Sequence, residues 1–373
     1  MSRSGQTCRA PARSGGLLKA FTYTSAAARV VFGAGALSHL EREVGLLGAS
    51  QALVLCTPEQ VDIAQLVVQR LGARAAGLYS KAAMHVPIET AREARELARQ
   101  LGADCAVAIG GGSTIGLGKA IALEAPAGTL PILAIPTTYA GSEMTPIYGI
   151  TEAGVKKTGK DLRVLPRTVI YDAELTLSLP VGLSMTSGIN AIAHSAEGLY
   201  AQDGNPIMAL MAEEGIRALV RALPVIKARP QDIEARSDAQ FGAWLCGTVL
   251  GNVGMALHHK LCHTLGGTFN LPHAETHTVV LPHAIAYNAP AIPQALEALR
   301  RALGGRDDAP RALFDLAGEL GAPRGLGSLG MPEDGIERAA DLATQNAYWN
   351  PRPIERGAII ELLRRAWAGQ PPA

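Results

Sequence analysis

The 373-residue chain is 48% hydrophobic and 18% charged, with a formal net charge of +1 at pH 7. That length can bury two substantial cores, and a charge so near zero gives no electrostatic reason for a nucleic acid or an anionic membrane as partner. No apolar run reaches the roughly 20 residues that cross a bilayer, and five cysteines without a CxxC pair argue against a disulfide framework or a cysteine-built zinc site; reduced thiols fit the cytoplasm.

Residues 1–18 (MSRSGQTCRAPARSGGLL) are basic, Ser-rich and free of acids. They have no apolar h-region, and read as a disordered extension or an early start, with a targeting peptide as the alternative. Beyond them, RVVFG, QALVLC, AVAIG, PILAIP and TVIYD are short Val/Ile/Leu-rich runs bounded by Gly or Pro. Helical patterns such as PEQVDIAQLVVQRL and ETAREARELARQL separate them. This alternation predicts a parallel sheet with helices on its faces. From about Glu174 the strand signal stops, and MALMAEEGIRALVRALPVI, AQFGAWLCGTVLGNVGMALHHKLCHTL and GAIIELLRRAWAG read as helices. The expected organisation is an α/β amino-terminal dinucleotide-binding domain over 19–177 and an all-α carboxyl-terminal domain over 178–373. The break falls at LSLPVGL, where Pro180 and Gly182 interrupt the pattern.

The strand CAVAIG runs straight into GGGSTIGLGKAIAL. Gly110, Gly111 and Gly112 let backbone amides approach an anion, and a helix starting near Ser113 aims its positive end at it. A pyrophosphate fits; a tight strand-to-helix turn is the plainer alternative, since the spacing is not GxGxxG. PTTYAGSE follows the strand PILAIP and puts the hydroxyls of Thr137, Thr138 and Ser142 at a strand's carboxyl end, where open α/β sheets bind ligands. At the end of QALVLCT an acid would hold a ribose 2′-hydroxyl, but the chain offers Cys56 and Thr57. With no charge to discriminate, both NADH and NADPH are expected to be accepted.

Five of the nine histidines lie between 258 and 277. His259 and His263 share a helical face, and His273 follows after a Gly-Gly break. Upstream, Asn190 and His194 stand four apart in SGINAIAH. Neutral imidazoles on a shared face suit zinc or iron, yet the position natural for a carboxylate holds the amide of Asn190. His258 is expected to point elsewhere as a structural residue, and His283 to lie in the core. Lys119 reads as a helix-face charge. Tyr139 and Arg352 are candidate pocket residues, each with a solvated surface as its alternative.

GGGS with Lys119 seven residues on, PTTYAGSE, SGINAIAH and HKLCHTLGGTFNLPH together resemble the iron-containing alcohol dehydrogenase superfamily, from about Phe21 onward. Within it, IPTTYAGSEMTPIYGIT, SGINAIAH and NPRP resemble the maleylacetate reductases. The resemblance implies a dehydroquinate synthase-like fold with the site in the cleft between its domains. It implies reduction of the conjugated C=C of maleylacetate, a small dicarboxylate, to 3-oxoadipate, with NADH or NADPH as cofactor, no bound metal and assembly as a homodimer. Metal-dependent members carry Asp where Asn190 stands, with histidines matching His194, His259 and His273, and usually Asp where Gly116 stands. His263 matches a histidine near the nicotinamide. One of Lys156, Lys157 and Lys160 corresponds to a lysine touching the cofactor, with Lys157 the chosen candidate. The implied catalytic set is Asn190, His194, His259, His263 and His273, with Tyr139, Asn190, His194, His263 and Arg352 on the substrate. A metal-dependent alcohol or aldehyde dehydrogenase and a dehydroquinate synthase-like lyase are the alternatives.

Overall fold

A computed structural model of the chain describes residues 21, 23–24, 28–126, 130–153, 155–345 and 348–373. The extension expected over 1–18 lies outside these residues. The first half carries β1 (Arg29–Phe32), α1 (Leu40–Leu46), β2 (Ala52–Leu55), α2 (Val61–Leu71), β3 (Ala75–Tyr79), α3 (Ile88–Gln100), β4 (Cys105–Gly110), α4 (Gly112–Glu124), β5 (Ile132–Pro136), the hairpin β6 (Ile147–Glu152) and β7 (Val155–Lys160), and β8 (Thr168–Tyr171). The second half is helical: α5 (Val181–Gly198), α6 (Pro206–Ala228), α7 (Ile233–Asn252), α8 (Leu257–Phe269), α9 (His273–Asn288), α10 (Pro293–Ala302), α11 (Ala309–Leu320), α12 (Gly335–Thr344) and α13 (Arg356–Ala368).

The main sheet runs β1-β8-β5-β4-β2-β3, all parallel. Its central strands are wholly buried, as Leu53, Val54, Val107, Ile109, Leu133 and Ile135 are. Parallel strands covered on both faces need this continuous apolar character. Register brings Leu55 beside Ala108 and Gly110 beside Pro136, so β2, β4 and β5 end at one edge. Two elements were not foreseen. AAGLY of β3 is too poor in branched residues to read as a strand, and the β6–β7 hairpin is rich in Lys and Gly.

The stretch 239–265 is two helices, not one. Val253 to Ala256 leave helical geometry between α7 and α8, and the Ala256 amide donates to Glu197 Oε2 instead of continuing a helix. The helical half meets the sheet where Gly247 of α7 faces Gly141: a Cβ on Gly247 would lie 2.8 Å from the Gly141 Cα. That backbone contact seats the 137–145 segment on α7. No helix among the described residues is long and apolar enough to cross a membrane.

Candidate active site

Three helices and one loop build the site. α5 supplies Asn190, His194 and Glu197; α8 supplies His259 and His263; α9 opens with His273. Asn190 and His194 do share a helix face, and both are almost fully buried, as is His259. His263 and His273 are exposed. The set therefore has a buried floor of Asn190, His194 and His259 and an open rim of His263 and His273.

Hydrogen-bond accounting fixes protons in the floor. His194 Nε2 lies 3.2 Å from the Ala140 carbonyl, which can only accept, so that nitrogen carries a hydrogen. Burial, reinforced by His259 and His273, holds the His194 pKa well below the usual histidine value, so the ring is neutral and its Nδ1 accepts. His259 Nε2 lies 2.9 Å from it. The other edge of His259 meets Glu197: Nδ1 is 2.7 Å from Oε2. Glu197 also accepts the backbone N–H of Ala256 at 2.9 Å and of His258 at 2.7 Å. Sequence reasoning missed Glu197; its only signal was an acid three residues after His194 on a helix otherwise without charge. The Asn190 Oδ1 is buried without a hydrogen-bond partner.

At the rim, His263 Nδ1 lies 3.0 Å from the Tyr348 hydroxyl, a second residue not foreseen. Tyr348 stands two residues before the NPRP segment. Asn350 exchanges two amide hydrogen bonds with Asn288, and Tyr287 donates its hydroxyl to the Pro353 carbonyl. Arg352 belongs to this clasp: Nη1 donates to the Tyr287 carbonyl, and the guanidinium stacks 4.3 Å from that ring's centroid.

On the sheet side, Gly110, Gly111 and Gly112 form the turn into α4, which has no side-chain cap, so its first amides are not satisfied by a cap. Gly110 takes φ 149°, and a Cβ there would meet Thr114 Oγ1 at 2.5 Å and Gln60 Oε1 at 2.6 Å. Gln60 Nε2 donates to Thr137 Oγ1 at 2.7 Å, tying the segment after Thr57 to the end of β5. A Cβ on Gly111 would press on Thr138 at 3.0 Å. Thr57, Ser113, Thr137, Thr138 and the glycine turn thus gather at one sheet edge. Cys56 is buried in the core beneath, and burial pushes its thiol up to about 11. At Gly116 a Cβ would lie 2.8 Å from Val86 Cγ2, so Val86 occupies the space a longer side chain would need.

Two other expectations, for Tyr139 and Lys119, are corrected. Tyr139 is not a pocket residue: its ring is fully buried in the helical core, and its hydroxyl accepts from Arg236 Nη1 at 3.2 Å. Lys119 is not a surface charge: it is wholly buried, with Nζ donating to the carbonyls of Ser142 and Ile147, each at 2.7 Å, and to Thr145 Oγ1 at 3.0 Å. Burial lowers its pKa to about 7 against the opposing pull of Glu143. Lys157 sits exposed on the β6–β7 hairpin, paired with Glu152 at 2.8 Å. His258 turns to His277, and His283 lies in the core as expected.

Residues 27–173 match the iron-containing alcohol dehydrogenase family, and residues 184–367 match the carboxyl-terminal part of the Fe-containing alcohol dehydrogenase family. A maleylacetate reductase of Burkholderia cepacia is 64% identical over 95% of this chain and all of its own length. The crystal structure of maleylacetate reductase from Agrobacterium tumefaciens superposes with a TM-score of 0.91 at 56% identity, covering 95% of this chain and 100% of that one. That from Rhizobium sp. strain MTP-10005 gives 0.90 at 56%, with the same coverage.

Proposed function

The chain belongs to the iron-containing alcohol dehydrogenase family, among its maleylacetate reductases, and from that premise we propose that it reduces the conjugated C=C of maleylacetate, and of substituted maleylacetates, to 3-oxoadipate in the breakdown of aromatic rings. The observation that carries the reading is the buried amide of Asn190, one turn from His194 on α5. Its place on α5 is where metal-dependent members hold an acid, and a fixed carboxylate there would repel a dianionic substrate.

Reduced nicotinamide, when bound, supplies the hydride, which goes to the carbon next to the far carboxylate. Gly110, Gly111, Gly112 and Ser113 suit its pyrophosphate at the uncapped start of α4. Thr137, Thr138 and Ser142 suit the nicotinamide end, with Lys157 as a further contact. Thr57 stands where the ribose 2′ position is read, and its lack of charge supports use of both NADH and NADPH. Negative charge then builds on the ketone oxygen. Asn190 and the rim residues His263 and His273 offer hydrogen-bond donors for that enolate, with His194 and His259 holding the floor behind them. A proton must reach the neighbouring carbon, and His263, oriented by the Tyr348 hydroxyl, is placed on the open side to give it. Arg352 stands in the clasp that carries Tyr348 and adds a positive charge for a substrate carboxylate.

A divalent ion at Asn190, His194, His259 and His273 does not fit this donor set. Nε2 of His194 is taken by the Ala140 carbonyl, and the amide brings no negative charge to balance the ion in a buried floor. No step above runs through a metal. The reading extends to a cytoplasmic homodimer. The four described cysteines are free and buried, which suits a reducing compartment, and half-exposed Phe32 on β1, an edge strand among the described residues, supports a partner surface there.

The test is NADH oxidation by the purified enzyme with maleylacetate, with and without a chelator. Turnover that survives the chelator is expected. Activity that the chelator removes and iron or zinc restores points to an alcohol or aldehyde dehydrogenase, and turnover without net NADH oxidation to a lyase.

A further inference from the structure

Behind the catalytic floor lies a second cluster that the proposed reaction leaves unused. His258 and Cys262 are one turn apart on α8, and His277 faces them from α9; all three are buried. His258 Nε2 is 3.0 Å from His277 Nδ1 and 3.7 Å from Cys262 Sγ. The three donor atoms lie within 4.8 Å of one another, and among the described residues no other group of three His, Cys, Asp or Glu side chains converges so. An ion held by three ligands at about 2.0–2.1 Å from nitrogen and about 2.3 Å from sulfur spaces them by roughly 3.5–3.8 Å, so shifts of up to about half an ångström bring the first two pairs to that spacing.

The polar accounting of this cluster is thin. His258 Nδ1 and His277 Nε2 are buried without partners, so their mutual N–H···N bond and the 3.7 Å contact to Cys262 Sγ are the hydrogen bonds that the two rings make. Exchanging them for two bonds to an ion forfeits little. Charge selects the ion. Cys262 as a thiolate contributes one negative charge and the imidazoles none, so a monovalent cation gives a neutral complex that a buried site tolerates, whereas a divalent one leaves a net charge there. The donor number agrees, because zinc takes four ligands in a closed site and this cluster offers three. A thiolate with two imidazoles is a soft set that favours Cu(I).

We propose that His258, Cys262 and His277 form a binding site for Cu(I), separate from Asn190, His194, His259 and His273. The ion displaces the Cys262 thiol proton, which leaves to solvent, and no electron is transferred. Both His258 Nε2 and His277 Nδ1 then turn to the ion and their mutual bond breaks. The His277 ring centroid is 4.3 Å from that of His273 and 5.0 Å from that of His259, so loading disturbs the reductase site from behind.

The experiment is an anaerobic titration of the full-length enzyme with Cu(I) against a chromophoric Cu(I) chelator, followed by X-ray absorption on the loaded protein. One ion per chain is expected, with one sulfur and two nitrogen donors. Cys262→Ser should weaken binding by more than about a hundredfold, since losing a direct ligand exceeds the 10–100-fold cost of losing an outer partner. Its metal-free melting curve checks that it folds, and if it does not, the donor count on the unmodified enzyme decides. No binding, a donor set other than one sulfur and two nitrogens, or unchanged affinity in a folded Cys262→Ser overturns the site. Zn(II) held as tightly by the same three residues overturns the choice of a monovalent ion. No readout here requires maleylacetate turnover, so the site and the proposed reaction fail separately.

Discussion

Glu197 Oε2 lies 2.7 Å from Nδ1 of His259, and the same carboxylate accepts the amides of Ala256 and His258. One acid on α5 therefore sets both where α8 begins and how the His259 ring is turned. Removing it acts on structure and on chemistry together. Glu197→Gln keeps the shape but places an N–H donor or a weaker acceptor against Nδ1, which upsets the proton order that runs on to His194. The expected loss in kcat is about 10- to 100-fold, the scale for the outer partner of a functional histidine. Steady-state kinetics checks it, and an unchanged kcat would detach Glu197 from the site.

Burial makes this fold sensitive to acid. It holds His194, His258 and His277 well below the ordinary histidine pKa and His283 down to about 4. These rings stay neutral in the folded state, while in the unfolded chain they take up protons near pH 6.5. Their stabilising contribution is complete above about pH 7 and is lost as pH falls through 6.5 toward the folded values. Each ring costs up to about 1.4 kcal/mol per pH unit in that window. The melting temperature should drop steeply from pH 7 to pH 5, and His283→Asn should make the slope shallower. A flat profile over that range would show that these rings titrate alike in both states.

Lys119 is the buried tether of the segment that carries Ser142. Lys119→Met leaves the Ile147 carbonyl without the Nζ donor, while the Ser142 carbonyl keeps the Thr145 amide and hydroxyl. A buried acceptor left unsatisfied costs about 1–3 kcal/mol, so a loss of about that size is expected in denaturant unfolding. The KM for the nicotinamide cofactor should rise more than kcat falls, because the loop moves while the histidines stay. A variant as stable as the parent would mean that the Ile147 carbonyl finds water instead.

Five strands of the sheet were legible in the sequence because Val, Ile and Leu fill each run and Gly or Pro ends it. The histidines were legible because spacings of four and the Gly-Gly break survive translation into α5, α8 and α9. Other features were hidden for physical reasons. A single charged residue in a helix says nothing of its burial, so Lys119 read as surface and Glu197 went unnoticed, though both are wholly enclosed. Tyr139 lay in a motif that suggested a pocket, but the hydroxyl partner that takes it into the core, Arg236, is 97 residues away. Tyr348 meets His263 across 85 residues, a distance over which no periodicity speaks.

Asn190 is where chemistry and metal binding part. The side chain is 2% exposed and one turn from His194. Asn190→Asp restores the anionic oxygen that a divalent ion wants, and puts a charge where a dianionic substrate must come. Metal affinity should rise, and kcat/KM for maleylacetate should fall. A repulsion of roughly 1–3 kcal/mol corresponds to about a ten- to hundredfold loss, carried mostly by KM because it weakens substrate binding before any bond changes. Metal content after dialysis against iron or zinc, together with kinetics in chelator, measures both effects. His263→Ala should instead lower kcat, by roughly 10²–10³, since it removes a group used as the enolate forms. An Asn190→Asp enzyme that stays metal-free and turns over at the parent rate would mean that the substrate's carboxylates never approach α5.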